Sequence, residues 1–201
     1  MYTIFKNDTS IILTDDRNIA GNQDCYLWID FNMKEALDKL ISKGQAKLYF
    51  YDADLTGMWD SFKGLYKVIE ASGGIVQNEE DDILFIFRND KWDLPKGKIE
   101  LNETREVAGI REVKEECGFK EIRLLDFIGT TYHIYPERDG EVLKISYWYK
   151  MYSNGKELIP QVEEGITDLS WVSRAGVPKL LQNTYPNIAL LLTMYWPDNE
   201  Q

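Results

Sequence analysis

The chain has 201 residues, 44% hydrophobic and 13% aromatic, enough apolar surface to bury one core or two and to exclude a disordered chain. Its 34 acids outnumber its 23 bases, and the formal net charge of -11 disfavours a nucleic-acid polymer or an anionic membrane as partner. The N-terminus has no basic segment followed by an apolar run, no stretch approaches the ~18 apolar residues that span a bilayer, and Cys25 and Cys117 fit neither a disulfide framework nor a zinc site, so a soluble protein of the reducing cytoplasm is expected.

Taken in chain order, YTIF and IILT within residues 2–14 read as two short strands separated by the turn-prone Asn7-Asp8-Thr9. Met33, Leu37, Leu40 and Ile41 recur at helical spacing, with Gly44 placed to end the helix. KLYFY follows as a strand, and Leu55, Met58, Trp59, Phe62 and Leu65 predict a second helix over 55–69. These residues form a small α/β domain, 1–66, marginal alone by its surface-to-volume ratio. A second domain, 67–201, begins with KVIEASGGIVQ and ILFIFR, strands joined by the acidic turn 78–82. Residues 122–135, 142–152 and 168–173 are strand-like, and 175–181 and 188–196 are helical. No internal repeat or low-complexity segment is visible.

Chemistry concentrates in residues 97–119, GKIELNETREVAGIREVKEECGF. Glu112, Glu115 and Glu116 stand at i, i+3 and i+4 and share one helix face. Like charges so placed destabilise an isolated helix, and a bound divalent cation would reverse that penalty. Carboxylate oxygens select hard ions, Mg²⁺ or Mn²⁺, which in turn allow an acidic protein to bind a phosphorylated ligand. Arg105, Ala108 and Gly109 fall on the same face, where small side chains would leave room for metals and phosphates. Val107, Ile110, Val113 and Cys117 form an apolar stripe opposite. Asn102 is the expected N-cap and Gly118 the stop. Lys98 and Arg105 are the cations placed to contact phosphates. His133, the single histidine, alternates with Thr131 and Tyr135 in TTYHIY and would contact substrate if its strand lines the cleft. Tyr132, Tyr135 and Tyr147 are candidates to stack on a nucleobase.

The segment resembles the Nudix box, G-x5-E-x7-R-E-U-x-E-E-x-G-U with U apolar. It matches at Gly97, Glu103, Arg111, Glu112, Val113, Glu115, Glu116, Gly118 and Phe119. SGGIV, WDLPKG, WYKM and LSWV extend the resemblance over about residues 67 to 196, leaving the first 65 without a family. The resemblance implies an α/β/α sandwich around a mixed sheet and metal-dependent hydrolysis of a nucleoside diphosphate linked to another moiety. Glu112, Glu115 and Glu116, with the Gly97 carbonyl, would hold the metal, and Glu115 and Glu116 are catalytic candidates. Glu103 and Arg111 would pair as scaffold. A general base from a loop before a late strand would be Glu164, ahead of its neighbour Glu163. LPKGKIE, followed by a T-Y-W-Y-like strand, is similar to dinucleoside or inositol polyphosphate hydrolases. ADP-ribose or an oxidised nucleotide is the alternative substrate, and a ligand sensor the alternative class, disfavoured by an intact box. The first domain would cap the active site or mediate homodimerisation.

Overall fold

The computed structural model describes residues 1–21, 25–28 and 32–196. The alternating N-terminal runs form a hairpin, β1 (Tyr2–Lys6) against β2 (Thr9–Thr14), antiparallel across a turn in which Asn7 takes φ 51°. A short helix α1 (Arg17–Gly21) and strand β3 (Cys25–Leu27) come next, neither with enough periodicity to be read from sequence. Helix α2 (Met33–Ser42) ends where Gly44 adopts φ 75°, a left-handed position that a glycine occupies without steric cost. β4 (Lys47–Tyr51) pairs parallel with β2 and β3. α3 (Leu55–Gly64) is capped by Asp54, whose side chain accepts from Gly57 N at 2.9 Å. The helix expected over 55–69 stops at Gly64 because Lys67 already begins β5 (Lys67–Gln77).

β5 is followed by β6 (Ile83–Arg88), β7 (Lys91–Asp93), β8 (Lys96–Lys98), α4 (Arg105–Cys117), β9 (Arg123–Glu137) and β10 (Gly140–Tyr152). β11 (Ile166–Val172), α5 (Val177–Leu180) and α6 (Pro186–Tyr195) complete the described chain. The acidic turn before β6 is organised by Asn78, whose side-chain oxygen accepts from the amides of Glu80 and Asp82. Among the described residues no helix is long and apolar enough to cross a membrane.

Two compact units emerge: Met1–Ile69 with Tyr132–Lys144, and Glu70–Thr131 with Ile145–Gln201. In the first, the strand order is β9-β1-β2-β4-β3, with the distal end of β9 parallel to β1 through Ile4↔Tyr132 and Phe5↔His133. One face of this sheet buries Ile4, Ile11, Leu13, Leu48 and Phe50. α2 and α3 bury Met33, Leu37, Met58, Trp59 and Phe62. Tyr2 stacks on Trp59 at 4.3 Å, and Tyr132 meets both rings edge-on. Four charges link the segments of this unit. Lys6 pairs with Asp38 at 2.7 Å and Glu141 at 2.6 Å, and Lys34 pairs with the same two carboxylates.

In the second unit the order is β11-β6-β5-β10-β9, with β7 added to β6 and β8 to β5. Strand alternation separates its two faces. Ile75, Ile83, Phe85 and Trp148 pack with Val177, Leu180, Ile188 and Leu191 of α5 and α6. Residues of the other parity, Ser72, Tyr147, Tyr149 and Met151, face α4, which makes an α/β/α sandwich around a mixed sheet. The Trp148 indole donates to Thr131 at 2.8 Å, so its one polar atom is satisfied in the core.

Candidate active site

The box loop is built by β8 and the turn that follows it. β8 pairs antiparallel with β5 through Ala71↔Lys98, Ser72↔Gly97 and Gly73↔Lys96, and Ile99 N donates to Glu70 O. The chain reverses at Asn102, φ 65°, and Thr104 rather than Asn102 caps α4, its hydroxyl accepting from Val107 N at 3.3 Å. Asn102 cannot serve because the loop still has to turn and deliver Glu103, whose carboxylate accepts from Glu100 N at 3.1 Å and receives Arg111. Gly118, φ 77°, ends the helix as expected.

The buried face of α4 is rotated from the expected stripe. Val113 and Cys117 are buried, but so are Ala108, Gly109 and Glu116, while Val107 is exposed. The small residues serve close packing on the sheet, not ligand space: a Cβ on Gly109 would lie 2.8 Å from Ser72 Oγ and 3.2 Å from Met151 Cε. Cys117 is fully buried, and burial pushes its thiol well up, an inert core position.

Around Arg111 three acids and one backbone carbonyl meet one guanidinium. Glu103 binds it in a fork, Oε1 to Nε at 2.9 Å and Oε2 to Nη2 at 2.8 Å, and Lys98 O accepts from Nη2 at 3.0 Å. Nη1 donates to Glu112 Oε1 at 2.7 Å and to Glu115 Oε2 at 3.0 Å. Gly97 packs directly on the Glu112 carboxylate, and any Cβ there would overlap it. Glu116 is turned the other way, Oε2 accepting from Lys96 N at 2.8 Å and Oε1 lying 3.5 Å from Arg88 Nη1. Burial pushes its carboxyl up to about 7, with Lys96 and Arg88 opposing the shift and Asp93 adding to it. Lys96 is buried and pairs with Asp93 at 2.5 Å.

Among the described residues no three acidic, histidine or cysteine side chains converge as a ready-made metal cage. The donor set nevertheless fits a hard divalent ion. Two carboxylates already converge on one cationic nitrogen beside Gly97, every donor is oxygen, and Mg²⁺ takes few protein ligands and keeps waters.

The remaining candidates fall in different places. Glu164 ends a 3-10 turn, Val162–Glu164, and reaches Arg88 Nη2 at 3.3 Å. Arg105 lies over the Tyr147 ring at 3.6 Å, donates to its hydroxyl at 2.8 Å, and sits 3.5 Å from Glu70, which also accepts from Tyr147. Its guanidinium and the Tyr147 face are therefore already engaged. Lys98 is exposed at the end of β8. His133 belongs to the other unit, half-buried beside Tyr135. Sequence reading missed Arg88 and Asp93. An arginine and an aspartate that each end a short strand carry no pattern; the fold brings Arg88 to Glu116 and buries Asp93 with its near neighbour Lys96.

Comparison with known proteins adds the family. A model of the NUDIX domain matches residues 69–192, more than half of the chain. The mRNA-decapping enzyme subunit 2 of Saccharomyces cerevisiae (strain YJM789) is 27% identical over 176 residues, covering 82% of this chain but 18% of that protein. The 8-oxo-dGTP diphosphatase of Proteus vulgaris is 30% identical over 78 residues, 36% of this chain and 69% of that one. Among solved structures, a MutT protein from Methanosarcina mazei Go1 superposes with a TM-score of 0.53 at 21% identity, covering 68% of this chain and 98% of that chain, a likeness of fold.

Proposed function

Since the chain belongs to the Nudix family, we propose that it is a metal-dependent pyrophosphohydrolase that cleaves a phosphoanhydride bond in a nucleoside diphosphate linked to another moiety, a dinucleoside polyphosphate first. The observation that carries this reading is the convergence of Glu112 and Glu115 on one cation beside Gly97, with Glu116 held one turn away.

Glu112, Glu115, Glu116 and the Gly97 carbonyl would hold Mg²⁺ or Mn²⁺. When bound, such an ion neutralises charge on the diphosphate and makes a water more acidic. Glu103 keeps Arg111, and with it the loop at Lys98, fixed against α4. Glu164 would take the proton of the attacking water on Oε1, because Oε2 is engaged by Arg88. Lys98, exposed beside the box, would meet a phosphate oxygen, and Arg105 would do so only by leaving Glu70 and Tyr147. His133, in the unit formed by Met1–Ile69 and Tyr132–Lys144, keeps its candidate role in substrate contact. The surplus of acid in the chain favours a small substrate over a polymer.

The test is phosphate release from diadenosine polyphosphates, ADP-ribose, nucleoside triphosphates, diphosphoinositol phosphates and a cap dinucleotide, with and without Mg²⁺, for wild type and Glu116→Gln. Metal-dependent turnover lost in the variant supports the enzyme and identifies its substrate class. Tight binding without turnover on any member would instead make the protein a sensor.

A further inference from the structure

Arg88 closes β6 and is not part of the box. Its guanidinium addresses two carboxylates from separate segments: Nη1 lies 3.5 Å from Glu116 Oε1, and Nη2 3.3 Å from Glu164 Oε2. The backbone around it is fixed from both sides. Arg88 pairs in register with Ile166 at the start of β11, where a bulge separates Ile166 from Asp168. The segment before β11 is tied to the end of α4, Ile159 N donating to Cys117 O at 3.0 Å and Gln161 N to Glu116 O at 3.2 Å. The 3-10 turn then closes on Gly165, φ 76°, and sets Glu164 opposite the end of β6.

We propose that Arg88 is a positioning residue for Glu164, holding that carboxylate beside Glu116 so that one of its oxygens stays free for the reaction. The inference rests on the hydrolase reading above. A glutamate side chain that is 52% exposed has several rotamers to choose from, whereas Arg88 is 28% exposed and presents a planar fork with two donors in fixed relation. Anchoring one nitrogen near buried Glu116 leaves the other at a defined point, and Glu164 is ordered by reaching it. Glu163, on the same turn, is exposed, and it is Glu164 that meets the fork. This selects one acid of the pair by geometry.

The test uses Arg88→Gln, Arg88→Lys, Glu164→Gln and the Arg88→Gln/Glu164→Gln double variant, with kcat, KM, Mn²⁺ affinity by electron paramagnetic resonance, and crystal structures. Glu164→Gln should lower kcat about 100-fold. Arg88→Gln should lower it about tenfold at unchanged KM, as expected for a base held loosely, and should cost little more in the Glu164→Gln background. Arg88→Lys should recover part of the loss. Losses that multiply, or a KM rise that persists without Glu164, would place Arg88 on the substrate and overturn the proposal. So would a drop of about 10- to 100-fold in Mn²⁺ affinity, which would mean that Arg88 supports Glu116 as a ligand. The crystal structure of Arg88→Gln reads the proposal even if wild type turns over no substrate. A displaced Glu164 carboxylate supports it, an unmoved one sinks it, and absence of wild-type turnover alone counts only against the hydrolase reading.

Discussion

Each of the two units carries a cluster of carboxylates, and the clusters are satisfied in opposite ways. In the first unit two lysines, Lys6 and Lys34, meet two acids, Asp38 and Glu141, so the charges cancel. In the second, Glu103, Glu112 and Glu115 all draw on Arg111, and Glu116 is buried against a backbone amide with Arg88 at the edge of reach. A balanced cluster fastens segments together. An acid surplus maintained by folding is what the proposed metal site requires, and burial raises the Glu116 carboxyl to about 7.

Breaking the surplus should have the largest effect. Glu112→Gln or Glu116→Gln should reduce turnover on the order of 10²–10³-fold with the fold intact, because each removes a ligand of the proposed ion that would neutralise the phosphate. Chelation should abolish turnover reversibly, and turnover persisting in EDTA would be incompatible with the proposed chemistry. Next comes Gly97→Ala. Its methyl would collide with the Glu112 carboxylate, and we expect a loss of about 1–3 kcal/mol in stability from overpacking together with weaker Mn²⁺ binding. If Mn²⁺ binding is unchanged, the contact does not help place the ligand.

The balanced cluster should behave differently. Lys6→Met should cost about 1–2 kcal/mol, below the range for fully buried pairs because Asp38 and Glu141 are partly exposed. It should leave Mn²⁺ affinity untouched, and a coupled loss would show that the clusters are not independent. The smallest effect is in pH. Burial alone would raise the Asp38 and Glu141 carboxyls, but hydrogen bonds and charge from Lys6 and Lys34 outweigh it and hold both below their ordinary values of 3.8 and 4.5. A depressed carboxyl stabilises the fold above its ordinary value and loses that contribution as pH falls through the lowered one. The Tm gap between wild type and Lys6→Met should therefore be flat near neutrality and shrink in acid. A gap that widens in acid would reverse the sign and refute this account.

Much of this was legible in the chain. Period-2 runs gave β1, β2 and β4, and the spacing of Met33 and Leu37 gave α2, because each is a local pattern with one buried face. The box could be read because its carboxylates share one helix and its loop is contiguous. What was not legible depends on long-range pairing. The burial of Gly109 on Ser72, the capture of Arg105 by Glu70 and Tyr147, and the approach of Arg88 to Glu164 each join residues from elements far apart in the chain. No window of sequence contains both partners, so neither periodicity nor capping chemistry could place them. The face of α4 was misjudged for the same reason: hydrophobicity pointed to Val107, but close approach to the sheet requires Ala108 and Gly109.

The first unit is discontinuous: its β1 finds a parallel neighbour in Ile4↔Tyr132, more than a hundred residues downstream, and its lysines find Glu141. A ribosome emitting this chain would expose the aromatic face of the N-terminal segment long before the strand that completes its sheet. Such distant closure slows folding and lengthens the interval in which an unpaired strand can be captured by a neighbour. Refolding should accordingly show a slow phase reported by Trp59, and a nascent chain stalled before residue 132 should need a chaperone that a chain extended past residue 144 does not.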